Sequence, residues 1–362
     1  MMPGCRFLAA TFLTLALAVA VGCSSGSKGE QASNAATASP APTRTPAATA
    51  TPAATSTPSA TTTTGPTSTP TVAVPSVEPL PASPTDSPAG GEPTPVPASQ
   101  VQLTPTEIGQ GQSATLTLPG YNASSATAIC DGRRYPLVLQ DGSYWGVIAA
   151  AGDAQPGIHA ITVELSNANG DVMADLATQV TVVDMGYPVE NIDLPPDVDA
   201  SLDPALVQQE DDARTAVFSQ FTAQKLWLGQ FIWPVQPVVV SSPYGIRRSY
   251  NGGPVSSFHG GIDLAVDEGV PVVAANSGRV AWVGTGPDYG NTVLIDHGDG
   301  VFSGYSHLSA VAVQAGQMVN KGDLVGNVGS TGMATGPHLH WEIDIRGVPV
   351  DPMPLTLQTM GP

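Results

Sequence analysis

Cysteine is nearly absent from this chain of 362 residues, which contains three. Cys5 and Cys23 fall at the extreme N-terminus, which leaves Cys130 without a partner and excludes an intramolecular disulfide in the body of the protein. Its flank Ala128-Ile129 reads as strand, so Cys130 is expected to be a small buried apolar residue rather than a nucleophile. Positive charge is equally scarce. Twelve Lys and Arg face 30 Asp and Glu, a formal charge of −18 with no basic stripe. That balance excludes a nucleic-acid partner and electrostatic capture by an anionic surface. Long apolar runs are missing too, because Phe7 to Val21, interrupted by threonines, is short of the ~20 residues that cross hydrocarbon. No His-Glu-x-x-His helix occurs, so the general base of a thermolysin-like protease is excluded.

What the N-terminus does contain is an export signal, with Arg6 as a short positive region before the apolar stretch. The run Ala20-Val21-Gly22-Cys23 resembles a bacterial lipobox with Ala20 in place of the usual leucine. Cleavage after residue 22 would make Cys23 the first mature residue and the site of lipidation. The alternative is an ordinary secretory signal in which Cys23 is incidental. From residue 24 to 100 the chain is Thr, Pro, Ala and Ser, too poor in apolar side chains to offset the entropy of ordering. Its proline content predicts a stiffened tether of ~3.1 Å per residue, reaching roughly 200 Å. The chain is therefore expected outside the cytoplasm, anchored to the bacterial membrane through lipid and extended toward the wall.

The remainder reads as mostly β. Between 101 and 184, alternating runs such as Ala114–Leu118, Tyr144–Ile148 and His159–Val163 are separated by turn pairs including Asp141-Gly142 and Asn169-Gly170. Strands at that spacing predict a small Ig-like β-sandwich, for which a spacer or binding role is the default. An acidic connector spans 185–229. It should hold one short helix beginning at Asp203 with Pro204 at its first position. Leu206, Val207, Ala213, Val217 and Phe221 would form the helix's apolar face. From 230 to 356, short Val-rich runs punctuated by glycine predict an antiparallel β-rich domain without helix.

Chemistry concentrates in that last segment. Five of the chain's six histidines lie between 259 and 340. His259 and Asp263 share the run HGGID, and His338 and His340 share GPHLHWE, while His307 lies between them in GYSHLS. Two imidazoles and one carboxylate from such a set can hold zinc with its fourth position open for water, as catalytic sites do. Side chains two apart on a strand project from one face, so His338 and His340 should point together. His259 and Asp263 would share a face if their segment is extended. His297 and His159 are read as structural, and Glu342 as a strand carboxylate or an orienter. Asp296 and Asp299 are read as turn residues, and Arg247 with Arg248 as a solvated pair.

With these motifs in order, Phe231 to Pro352 resembles the M23 or LytM-type zinc endopeptidases. The matching runs include SPYGIRR, HGGIDLAV, PVVAANSGRV, GNTVLIDHG, KGDLVGNVGSTG and TGPHLHWE. The resemblance implies one zinc per chain held by His259, Asp263 and His340, with His307 and His338 as the catalytic histidines flanking its water. It also implies hydrolysis of peptidoglycan stem or cross-bridge peptides. The competing expectation is a non-catalytic regulator of this fold that binds the wall and activates another hydrolase. Such proteins typically lack metal ligands, and all five positions are present here.

Overall fold

The structure, a computed structural model, describes residues 100–193 and 203–362. The signal, Cys23, the tether and residues 194–202 of the connector lie outside those residues. No helix among the described residues is long and apolar enough to cross a membrane.

The first module contains eight strands: β1 (Gln102–Thr104), β2 (Glu107–Gly109), β3 (Ser113–Pro119), β4 (Ser125–Cys130), β5 (Arg133–Gln140), β6 (Ser143–Ala149), β7 (Gly157–Ser166) and β8 (Val172–Val183). They join in one hydrogen-bonded path, β1-β3-β6-β5-β4-β7-β8-β2, where two separate sheets were expected. The bridge is β5, which pairs with β4 through Arg133–Leu137 and with β6 through Val138–Gln140. Alternation buries Ala114, Leu116 and Leu118 on β3 and Ile161, Val163 and Leu165 on β7. Cys130 is buried among them, its thiol pushed up to about 11 by desolvation and then by Asp131.

After a short strand, β9 (Val189–Ile192), the helix α1 (Pro204–Phe218) is capped by Asp203, whose carboxylate accepts the Ala205 N–H at 2.9 Å. Its buried face includes Val217 as expected and otherwise differs. Glu210, Arg214, Val217 and Phe218 turn inward, while Leu206 is 50% exposed. Two charges replace apolar residues because their partners, contributed from far along the chain, line the surface beneath.

The C-terminal domain comprises β10 (Val240–Ser242), β11 (Arg247–Tyr250), β12 (Val255–Phe258), β13 (Ile262–Leu264), β14 (Pro271–Val273), β15 (Gly278–Gly286), β16 (Gly290–Gly298), β17 (Val301–Leu308), β18 (Ala310–Val311), β19 (Met318–Val319), β20 (Leu324–Asn327), β21 (Leu339–Ile345) and β22 (Pro349–Val350). Its main sheet is antiparallel in the order β10-β13-β21-β17-β16-β15-β19. The strands at its centre, β16, β17 and β21, are buried nearly throughout, so Val293, Ile295, Tyr305, Trp341 and Ile343 form a two-faced core. The only helical element of the domain is a single 3-10 turn at Met353–Thr356.

The module packs directly on this domain, and both share one apolar cluster. Trp145 meets Trp227 edge-on at 5.9 Å, and the Trp227 indole donates to the Met360 carbonyl at 3.1 Å. The Asp351 N–H donates to the Gly111 carbonyl at 2.7 Å. On the other side, β9 adds parallel to β11.

Candidate metal centre

Sheet register creates the site. Asp263 on β13 stands directly opposite His340 on β21, so carboxylate and imidazole are cross-strand neighbours. His259 does not share a strand with Asp263. It follows the end of β12, and Gly260-Gly261 bend the chain back into β13. A Cβ at Gly261 would come within 2.9 Å of the His340 ring, so this close approach needs glycine.

Three donor atoms converge there. His259 Nε2, His340 Nδ1 and Asp263 Oδ1 are mutually 2.9 to 3.0 Å apart. The His259 Nδ1–H donates to the Pro243 carbonyl at 2.9 Å, which leaves a bare lone pair on Nε2. Desolvation lowers the His259 pKa, so the ring is neutral at pH 7 and Nε2 faces Asp263 Oδ1 as acceptor against acceptor. A cation between them resolves that contact, and three such atoms form a group that could hold a metal ion. Asp263 is ready to serve. Arg248 Nη2 donates to the other carboxylate oxygen at 3.2 Å, which orients Oδ1 toward the centre.

His307 and His338 sit beside the three, their rings 4.6 Å apart. His338 Nδ1–H donates to the Gly336 carbonyl and His307 Nδ1–H to the Thr331 carbonyl, each at 2.9 Å. In the neutral form of either ring that donation leaves the lone pair on Nε2. His338 Nε2 lies 3.9 Å from Asp263 Oδ1. Desolvation, then His338 and His340, lower His307 to about 3, so it is neutral across physiological pH. Its backbone has φ +60°, the left-handed region, which breaks the strand alternation at the end of β17.

A cavity of about 220 Å³ opens over the centre, bordered by Tyr289, Met333 and Ile192 as well as the histidines. Two further cavities share lining residues with it and extend the groove on either side, one along β9 past Glu190 and Asn191 and one reaching Gly152, Asp153 and Gln155 of the module. Segments outside the C-terminal domain thus wall both arms of the groove.

His297 stands apart, fully buried with Nδ1 on the Ser277 carbonyl and Nε2 on Ser303 Oγ, each at 2.8 Å. Arg248 and Tyr289 are the site residues that sequence reading missed. Adjacent arginines on a strand face opposite ways, so the pair Arg247-Arg248 itself implied that one points inward. Nothing local marks Tyr289.

An antiparallel β fold thus carries a two-histidine, one-aspartate group that could hold a metal ion, with two further histidines beside it. Residues 257–352 match the description Peptidase family M23. Those residues, about a quarter of the chain, carry the likeness to the family. The chain is 43% identical over 131 residues to the DD-carboxypeptidase/endopeptidase Mpg of Neisseria meningitidis, covering 34% of this chain and 29% of the relative. It is 40% identical over 114 residues to the peptidoglycan DD-endopeptidase ShyA of Vibrio cholerae, covering 32% and 26% respectively. The chain thus spans less than a third of the length of these curated relatives. A crystal structure of a peptidase M23 from Pseudomonas aeruginosa superposes with a TM-score of 0.51 at 27% identity. That likeness covers 68% of this chain and 94% of the other, so it extends beyond the segment matching the family.

Proposed function

We propose that this chain is a zinc-dependent endopeptidase that hydrolyses peptide bonds in the stem or cross-bridge peptides of peptidoglycan. The observation that carries the reading is the convergence of His259 Nε2, Asp263 Oδ1 and His340 Nδ1, with the Nε2 atoms of His307 and His338 unbonded beside them.

His259, Asp263 and His340 would hold one zinc ion. Zinc held there would lower the pKa of a water to about 7 and polarise a carbonyl. The chain's own groups do the rest. A neutral imidazole at His307 or His338 accepts the water's proton at Nε2 and returns it to the departing amine. The partner imidazole, when it has taken up a proton from solvent, donates Nε2–H to the developing oxyanion. Carbonyl acceptors at Thr331 and Gly336 hold Nδ1–H on each neutral ring and so leave Nε2 free to accept, the tautomer the base needs. The two-armed groove accepts an extended peptide on either side of the centre, and its walls select the sequence.

Export, lipidation at Cys23 and a tether over 23–100 would place the domain at the wall, outside the cytoplasm. Homology to peptidoglycan endopeptidases is the support for the substrate class. The test compares wild type with His259→Ala for zinc content, folding and release of peptides from cross-linked peptidoglycan fragments. The variant should fold, bind less zinc and release nothing. Undiminished release would refute the metal mechanism.

A further inference from the structure

The helix α1 lies outside the family-matched segment, yet it reaches the metal cavity through two buried charges. Burying a charge is costly unless it is paired and hydrogen-bonded, so the partners of Glu210 and Arg214 reveal what the helix holds. The Glu210 carboxylate accepts the backbone N–H of Asp288 at 2.9 Å and of Tyr289 at 3.2 Å. Arg214 lays its guanidinium 3.6 Å over the Tyr289 ring and pairs with Glu342, two residues beyond His340 on β21. Both carboxylates need glycine beneath them. A Cβ on Gly286 would overlap the Glu210 carboxylate, and one on Gly304, the cross-strand partner of Glu342, would overlap Glu342.

The same Asp288–Tyr289 turn supports His307. The Tyr289 carbonyl accepts the His307 N–H at 2.9 Å, and His307 is a non-glycine residue in left-handed backbone. Such a conformation persists only where its surroundings over-determine it. Tyr289 also lines the cavity, its ring 5.8 Å from that of His340. A continuous set of contacts therefore runs from the helix to the turn and from the turn to the histidine.

We propose that Glu210 and Arg214 are positioning residues for peptide hydrolysis, locking the Asp288–Tyr289 turn and through it the backbone of His307. The proposal rests on the hydrolytic reading of the centre. Neither residue touches substrate in this scheme, and the connector becomes part of the working enzyme instead of a linker. The geometry of His307 is then set from outside the family-matched segment.

The test uses the full chain with Glu210→Ala, Glu210→Gln, Gly286→Ala and the double variant Glu210→Ala/Gly286→Ala. Each is measured for kcat and KM on a cross-linked peptidoglycan peptide, zinc content, and amide hydrogen exchange over residues 286–292 and 304–309. Glu210→Ala should lower kcat on the order of 10- to 100-fold, as a displaced catalytic group does. KM and zinc content should stay within about twofold, because binding and ligation are untouched. Exchange should quicken in those two segments alone. Glu210→Gln keeps one acceptor oxygen and should fall between. Gly286→Ala should reproduce Glu210→Ala by evicting the carboxylate, and the double variant should lose nothing more, since both remove one contact. An unchanged kcat, a change in KM alone, or exchange that quickens across the whole domain would overturn the proposal. Absence of hydrolysis in the parent would instead refute the hydrolytic reading, and the exchange pattern would still decide whether α1 holds the turn.

Discussion

Near its turn, the β16–β17 hairpin buries His297; near its open end it buries His307. Both rings are desolvated, and burial is the main reason each pKa falls, to about 4 and about 3. Both donate Nδ1–H to a backbone carbonyl. The difference lies in the other nitrogen. His297 Nε2 meets Ser303 Oγ, whereas His307 Nε2 has no protein partner and faces the cavity. The backbones differ too, regular at His297 and left-handed at His307. Within one hairpin, burial alone does not distinguish a structural histidine from a site histidine. An unbonded nitrogen aimed into a cavity, on strained backbone, does.

Exchanging alanine for each histidine should separate the two ends sharply. His307→Ala should lower kcat by about 10²- to 10⁴-fold, the range for losing a general acid–base group, with little change in thermal stability. Turnover on a defined peptide and a melting curve check both halves. His297→Ala should do the reverse. It strands the Ser277 carbonyl, leaves Ser303 with Tyr305 alone and opens a cavity, costing on the order of 3 kcal/mol in denaturant unfolding. The fraction still folded should hydrolyse at the wild-type rate. A His297 variant that is stable but inactive would erase the distinction.

A smaller effect belongs to the turn end alone. Asp344, opposite Phe302, is pushed up to about 7 by burial and holds the Gly347 N–H at 2.6 Å. Its folded pKa exceeds the unfolded one, so the folded state binds the extra proton. Stability from this group is thus present below about pH 4 and lost as pH rises toward 7. Asp344→Asn should abolish that loss, leaving the melting temperatures close at pH 4 and the variant several degrees higher at pH 8. His297, with its pKa lowered, acts oppositely over a similar range, so the difference between variant and wild type is the quantity to read.

What could be read directly from sequence follows the same division. Strand runs, the Asp203-Pro204 helix start and the cluster of histidines are local patterns, and the structure brings His259, Asp263, His307, His338 and His340 together. The inward face of α1 was misread because helical periodicity favours Leu206, Val207 and Phe221. Its true partners, Asp288, Tyr289 and Glu342, lie roughly 80 to 130 residues downstream and leave no mark near the helix. Arg248 was hidden for a similar reason, its partner Asp263 being supplied by another strand. Local chemistry is legible where spacing fixes it. Buried charges are not, because only the tertiary fold supplies their partners.

The most direct test of the central claim is digestion of purified sacculi by the protein, with and without a zinc chelator, with the soluble products weighed by mass spectrometry. The account predicts release of defined peptides that stops on chelation and returns when zinc is restored. Release that continues with the zinc removed, or no release from a protein carrying one zinc per chain, would contradict it.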